Sequence, residues 1–421
     1  MRTPAASASL AASLRLAAVI AAMFALGQAM SARPSPQGVV LEAAAPDGVR
    51  VRAIEPDPGR GRAAAVVVEE GALAHTAILH PLDAQGTLQG RGDAYAQATH
   101  VLGSVDAALR AAGSGLDRVA RLHVYVADAS VTASVDRLLT ERFAGATPAV
   151  TFVESRMAHD GVLVAMDAVA ATPRGVHAKA AERLVVAGLP ASGRQAHVAV
   201  QPAGPFAIVS GRAAPGEFDD AVRATMEQLR GDLKAVGLGF EHAVHVKAFL
   251  GDMSRAGQLQ QIVAGTFERT APPLVTTEWR DAPLPVEIEL VATAPGATAG
   301  GERLTLVEPI SSRYSRVARI FGGRPIFVSG IAGASADPAT QVREVFERMR
   351  QVLAAAGSDM RHIAKATYYV SDKAADQEIN TIRPTVFDPA RPPAASKISV
   401  RGTGRPGAAT VIDLVAVTTD R

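Results

Sequence analysis

The chain has no cysteine, a single tryptophan, only 4% aromatic residues, and no dense run of lysine or arginine in its 421 residues. The missing thiols exclude thiolate nucleophiles, thiolate metal sites and disulfides. Forty-three basic residues against 41 acidic ones leave a formal net charge of +2. There is no basic stripe with interleaved aromatics, so no nucleic-acid partner is expected. Neither a nucleophile elbow nor a dinucleotide fingerprint occurs. No cofactor or metal is expected; the histidine pair of "HAVH" (His242 and His245) falls in a strand, where the two side chains point opposite ways. What is abundant is aliphatic. At 48% hydrophobic, the chain can build two to four domains, each with its own core.

The first residues read as a separate element. Arg2 and Arg15 precede the apolar stretch "LAAVIAAMFAL", and small residues follow at Gly27 and Ala29. That pattern predicts a secretory signal over 1–29, cleaved after Ala29, with an uncleaved anchor as the alternative. The stretch is short for a membrane span. The mature chain is therefore expected in the periplasm or outside the cell, with no membrane contact. Residues 30–59, with "PSPQG" and "PDPGRGR", read as a loosely ordered leader.

Beyond the leader the sequence repeats itself. "AAGSGLDRVARLHVYVAD", "AVGLGFEHAVHVKAFLGD" and "AAGSDMRHIAKATYYVSD" start at Ala111, Ala235 and Ala355. From glycine to aspartate is 15 residues in each copy: Gly113 to Asp128, Gly237 to Asp252, Gly357 to Asp372. From the same glycine to Phe143, Phe267 or Phe387 is 30. Three positions held in phase mark tandem copies of one domain, over 60–172, 183–293 and 304–421. In each copy an amphipathic helix precedes the glycine, as with Val342, Val345, Phe346, Met349, Val352 and Leu353. The glycine suits the left-handed position that ends it. A strand, a second helix and two further strands follow. The predicted fold is α+β, with both helices of a copy on one face of its sheet.

The strand-borne "VSG", the "AAGS…V…YV.D" stretch, the Phe-then-Pro-Ala junction and the terminal "VEIELVA" together resemble the RidA (YjgF) family. The resemblance implies chorismate-mutase-like domains that assemble as trimers, with small-molecule clefts between neighbours. Here three copies in one chain are expected to pack as an intramolecular pseudo-trimer, so that the chain acts as a monomer. Tethering raises the copies' mutual concentration to roughly the mM range. Three beads on a string are the alternative, at the cost of exposed apolar sheet faces.

The resemblance also implies a chemistry, hydrolysis of 2-imino or enamino acids, with an arginine after the Pro-Ala junction and a glutamate in the last strand. The arginine position holds Val150, Leu274 and Ala395 in the three copies, so the usual grip on a carboxylate is lost in all of them. The glutamate position holds Ala165, Glu287 and Val411, which makes Glu287 the one catalytic candidate. Ser210, Ser329, Tyr314 and Asn380 match other pocket positions, and Arg212 and Lys397 are candidate replacement anchors for an anion. The first copy is the most degenerate and is expected to serve as scaffold. Asp167, Glu289 and Asp413 recur in all copies, which suggests a structural role such as a hydrogen bond between copies. Three functions remain open: a binder of a small organic metabolite in clefts between the copies, an imine or enamine deaminase using Glu287, or a non-catalytic structural or protein-interaction scaffold.

Overall fold

In the computed structural model of the protein, the described residues are 42–44, 48–296, 301–311 and 313–420. The expected signal over 1–29 lies outside them. After a short β1 (Glu42–Ala44), the first copy runs β2 (Arg50–Asp57), β3 (Arg62–Glu70), β4 (Ala72–Thr76), α1 (Ala94–Ala111), β5 (Val119–Val126), α2 (Thr132–Arg142), β6 (Ala149–Glu154) and β7 (Val164–Thr172). The second runs β8 (Glu182–Leu184), β9 (Val198–Gln201), β10 (Phe206–Arg212), α3 (Phe218–Ala235), β11 (Ala243–Leu250), α4 (Ala256–Gly265), β12 (Leu274–Glu278) and β13 (Val286–Thr293). The third runs β14 (Leu304–Ser311), β15 (Tyr314–Ile320), β16 (Pro325–Ile331), α5 (Pro338–Ala355), β17 (Ile363–Val370), α6 (Lys373–Val386), β18 (Ala394–Ser399) and β19 (Thr410–Val417).

Part of the expected leader is a strand. β2 pairs antiparallel with β3, as β8 does with β9 and β14 with β15, so Arg50–Asp57 is the first copy's equivalent of those strands, and β1 pairs on its outer edge. The prolines of "PDPGRGR" do not prevent this, because Pro58–Arg60 forms a single 3₁₀ turn closed by Gly61 in the left-handed region (φ 59°). Ile54 and Ala53 on this strand are buried against core from the third copy.

The constant spacing of the repeat has a local cause. Gly113, Gly237 and Gly357 all have φ between 76° and 78°. Around each, the next residue's amide reaches back to a carbonyl five residues earlier, as in Ser114 N to Leu109 O, Leu238 N to Leu233 O and Ser358 N to Leu353 O. This is the same helix-ending motif three times. Fifteen residues on, Asp128, Asp252 and Asp372 accept amide hydrogen bonds from Ser130, Ser254 and Ala374, which turns the chain into the second helix. The helical residues singled out by their periodicity, Val342 to Leu353 in α5 among them, are buried against one face of each copy's sheet.

The other sheet face is covered by the sister copies. β4 pairs with β9, β10 with β15, and β16 with β3, all antiparallel. The third strand of each copy therefore joins the second strand of the next, and the third copy closes back on the first. A ring results, with all 19 strands in one hydrogen-bonded sheet. Its interior is apolar at both ends. Val66, Leu73, Phe206, Ile208, Ile320 and Phe327 fill one end, and Tyr125, Phe249, Trp279, Tyr369 and Ile398 fill the other.

Between these two plugs lies a layer of charge. His123 of the first copy places one ring nitrogen 3.1 Å from Asp167 and the other 3.0 Å from Asp413 of the third copy. Lys365 of the third copy pairs with Glu289 of the second. The three acids that recur in the sequence are thus held together between copies. Burial alone would raise the carboxyls of Asp167 and Asp413, but the adjoining His123 ring outweighs it and holds both below the usual carboxylate range.

Two outcomes follow for stability. Because both carboxyls titrate lower folded than unfolded, their contribution is complete above about pH 4 and lost as pH falls below it. Asp413→Ala should cost about 3–5 kcal/mol by leaving the buried Nε2 of His123 without its partner, read by chemical denaturation at neutral pH. An unchanged midpoint would mean that the layer carries no load. Separately, Gly237→Ala, with open space around the new methyl, should cost about 1–2 kcal/mol through its left-handed backbone alone.

Candidate functional site

Ring closure creates three clefts, each where the end of a third strand meets the next copy. Strands β10 and β16 are irregular at this point, with the register shifting between Val209 and Arg212 and between Val328 and Ile331. The serines at these bulges act as stitches. Ser210 Oγ donates to Ser315 O at 2.6 Å and accepts from the amide of Ala395 at 2.9 Å. Ser329 Oγ likewise donates to Ala63 O and accepts from Val150 N at 2.8 Å. Both hydroxyls are spent on bonds to the following copy. Ser210 thus belongs to the cleft between copies two and three, and Ser329 to the cleft between three and one.

The cleft between copies two and three gathers most residues singled out in the sequence. Glu287 on β13 is tucked against the backbone of Gly211, whose absent side chain leaves room for its carboxyl. Burial pushes this carboxyl up to about 7, against the pull of Lys365 and the Ser396 hydroxyl, and neighbouring Glu289 adds to the rise. The two replacement anchors are already engaged. Lys397 Nζ lies 2.5 Å from Asp376 and 3.0 Å from Asn380 Oδ1, which also occupies Asn380. Arg212 pairs with buried Asp232 at 2.9 Å. Tyr314 packs, half-buried, on the core of the third copy. A titratable acid is present here, but the cations beside it are neutralised.

The cleft between copies three and one is rich in arginine. A cavity of about 180 Å³ is lined by Arg62, Arg348, Arg405, Glu55, Asp57 and Ser329, among others. Arg62 pairs with Asp136 and Arg348 with Glu55. Burial, and then repulsion from Arg62, pull the Arg405 guanidinium down to about 10.

The cleft between copies one and two holds a cavity of about 390 Å³, about twice that between copies three and one. Its roof is residues 77–93, a connection far longer than 213–217 or 332–337 at the same place in the other copies. Asp83 braces this roof by accepting the amides of Gln85 and Thr87. Ala77 stands where the other copies have a stitching serine, and Leu274 where the resemblance implied arginine. Among the lining residues there is no Lys, Arg, Asp or Glu. The polar groups are imidazoles, carboxamides and the hydroxyl residues Ser192 and Thr276. His80 and His159 meet edge to face with ring centres 4.9 Å apart. Burial pulls His80 down to about 3, so its ring is neutral. His80 Nδ1 and Gln195 Oε1 are buried without a hydrogen-bond partner. On the floor, Gln260 Nε2 donates to Ser192 O at 3.2 Å. The site residues singled out by sequence all lie in the second and third copies. His80 lies in the long connection that the other copies lack, and His159 in a connection that all copies have but with unlike sequence, so no register pointed to either.

Comparison with known proteins agrees with this architecture. The family model for Endoribonuclease L-PSP matches three times, over residues 63–172, 189–295 and 306–418. Protein DfrA of Myxococcus xanthus is 31% identical over 114 residues, which covers 25% of this chain and 84% of that protein. A YjgF-family protein of Neisseria meningitidis is 28% identical, covering 28% of this chain and 97% of its own, with a TM-score of 0.22. A Rid-family protein of Yersinia pestis is 30% identical, covering 29% and 98%, with a TM-score of 0.27. Three successive matches leave little of the folded chain unaccounted for, and the protein belongs to the Endoribonuclease L-PSP (RidA/YjgF) family as a single polypeptide carrying the family domain three times.

Proposed function

We propose that this protein binds a small, uncharged organic molecule in the cleft between its first and second copies. The observation that carries this reading is the roofed cavity whose polar lining is entirely uncharged, made of imidazoles, carboxamides and hydroxyls among apolar side chains. Neutral donors and acceptors such as Gln195, Gln260 and Thr276 suit a ligand that carries a hydrogen-bond donor and acceptor of its own. With no cation in the lining, the cleft has nothing to grip a carboxylate or a phosphate. That argues against both an RNA backbone and a free imino acid in this cleft. Export to the periplasm or beyond is part of the same proposal and rests on residues 1–29 alone.

A second reading has its own support, in Glu287. Its carboxyl is enclosed between copies, sits beside the Ser396 hydroxyl and titrates at about 7, which suits a general base acting on water near neutral pH. In this reading the second cleft hydrolyses an imine or enamine lacking the usual carboxylate anchor. A scaffold with all clefts decayed is disfavoured by the open volume between copies one and two.

Ligand-observed NMR with neutral benzamide and anionic benzoate tests the first reading. Benzamide should bind, benzoate should not, and Gln195→Ala should weaken benzamide about tenfold, the loss of roughly one hydrogen bond. Gly257→Leu, which enters open space from α4, should abolish binding without unfolding the protein. Equal binding of both probes, or indifference to Gly257→Leu, would contradict it. For the second reading, ammonia release from freshly generated enamines should rise with pH through about 7, because the base must be ionised. Glu287→Gln should remove the activity.

A further inference from the structure

The charged layer on the ring axis has features that the acid–base pairs above leave unexplained. Three equivalent strand positions, Arg121 on β5, His245 on β11 and Lys365 on β17, carry a basic residue in every copy, eight residues after the helix-ending glycine. All three line a chamber of about 40 Å³ on the axis, together with His123 and Lys247. That volume is about three times the least that holds one water.

Counting charges exposes an imbalance. Both nitrogens of His123 face carboxylate oxygens, so His123, Asp167 and Asp413 share one proton beyond that of a neutral ring; placed on the ring, it makes the imidazole positive. Arg121, His123, Lys247 and Lys365 then supply four positive groups, against three negative ones from Asp167, Glu289 and Asp413. Glu287, the nearest further acid, is pushed up to about 7 by burial and compensates only in part. The excess is localised. Among the described residues no hydrogen bond or ion pair engages Arg121; its guanidinium lies over the Phe327 ring, 5.4 Å from the centre, and its Nε is buried without a partner. Lys247 is 5% exposed; its ammonium donates to the Tyr369 hydroxyl at 2.7 Å and lies 5.4–5.8 Å from the centres of the Tyr125, Phe249 and Tyr369 rings, but no carboxylate pairs with it among the described residues. His75, 3% exposed, gives Nε2 to Gln201 and leaves Nδ1 unpartnered at the same chamber. Arg121 is half-buried and Lys247 buried, and a cation drawn out of water without a partner is costly, so such a charge is either neutralised or given a counter-ion.

We infer that the axial chamber is a binding site for one small monovalent anion of halide size, held between Arg121 and Lys247. The site goes beyond the cleft proposal and does not depend on it. Access is from the hairpin end of the ring, where a bowl of about 260 Å³ bounded by the turns at Gly71, Gly204 and Gly323 shares Leu73 and Phe206 with the chamber wall. These two side chains, each 4% exposed, separate the bowl from the chamber, so an ion enters only when they swing aside. The alternative relief is loss of the Lys247 proton: burial draws this ammonium below the usual lysine range, while Asp167, Asp413 and Glu289 oppose the change.

Bromide and chloride are the probes. Crystals grown in sodium bromide should show anomalous density on the ring axis within hydrogen-bonding distance of the Arg121 guanidinium. In solution at constant ionic strength, the melting temperature should be several degrees higher in chloride than in gluconate. Arg121→Met should abolish that difference, and Arg121→Lys should keep most of it. Should Arg121→Met fail to fold, the bromide density in the wild type decides alone. Bromide found only on the outer surface, or equal melting of the wild type in the two salts, overturns the inference and leaves a neutral Lys247 with water in the chamber.

Discussion

Everything in this molecule depends on covering the second face of each sheet. Two helices per copy bury one face, and the residues on the other, such as Ile208, Phe327 and Val66, would be left as a large apolar patch on an isolated copy. Pairing the third strand of each copy with the second strand of the next removes the free edges and buries those faces in one step. The closed ring then forces the inward side chains of three copies to meet on an axis. Some of them are charged, and they are tolerated because each acid finds a base contributed by the same or a neighbouring copy.

Joining the copies in one chain has a second consequence. Three identical subunits must have three identical clefts, whereas three copies in one polypeptide are free to differ. Here one cleft is neutral and roofed by an extended connection, one holds a raised glutamate among paired cations, and one is lined by arginines. The ancestral-looking features are spread among them. Serine stitches survive in two clefts, glutamate in one, and the family's arginine in none. Divergence was confined to the clefts; the helix-ending glycines, the capping aspartates and the axial acids stay in step because the ring needs them in every copy.

Much of this was legible in the sequence. Glycine, aspartate and phenylalanine at fixed intervals gave the repeat, and the structure supplies their cause in a helix end, a helix start and a core contact. Asp167, Glu289 and Asp413 were readable as links between copies because strand alternation puts equivalent residues on equivalent faces. The strand at Arg50–Asp57 was hidden by flanking proline and glycine, which mark a turn here and not a leader. Lys397 shares the side of its strand with Ala395, as alternation requires, but no one-dimensional pattern shows that Asp376 and Asn380 wait there on α6. The roofed cleft was not legible either, since His80 and Gln195 come from different copies and meet only once the ring has closed.

The central claim is that one chain closes the ring alone. Small-angle scattering coupled to size-exclusion chromatography measures this directly, on the chain from residue 40 onward. A closed ring predicts the mass of a single chain at all dilutions and a radius of gyration of about 21 Å, the value for a compact body of this length. A mass that rises with concentration toward three chains, or a single chain with a much larger radius, would contradict it.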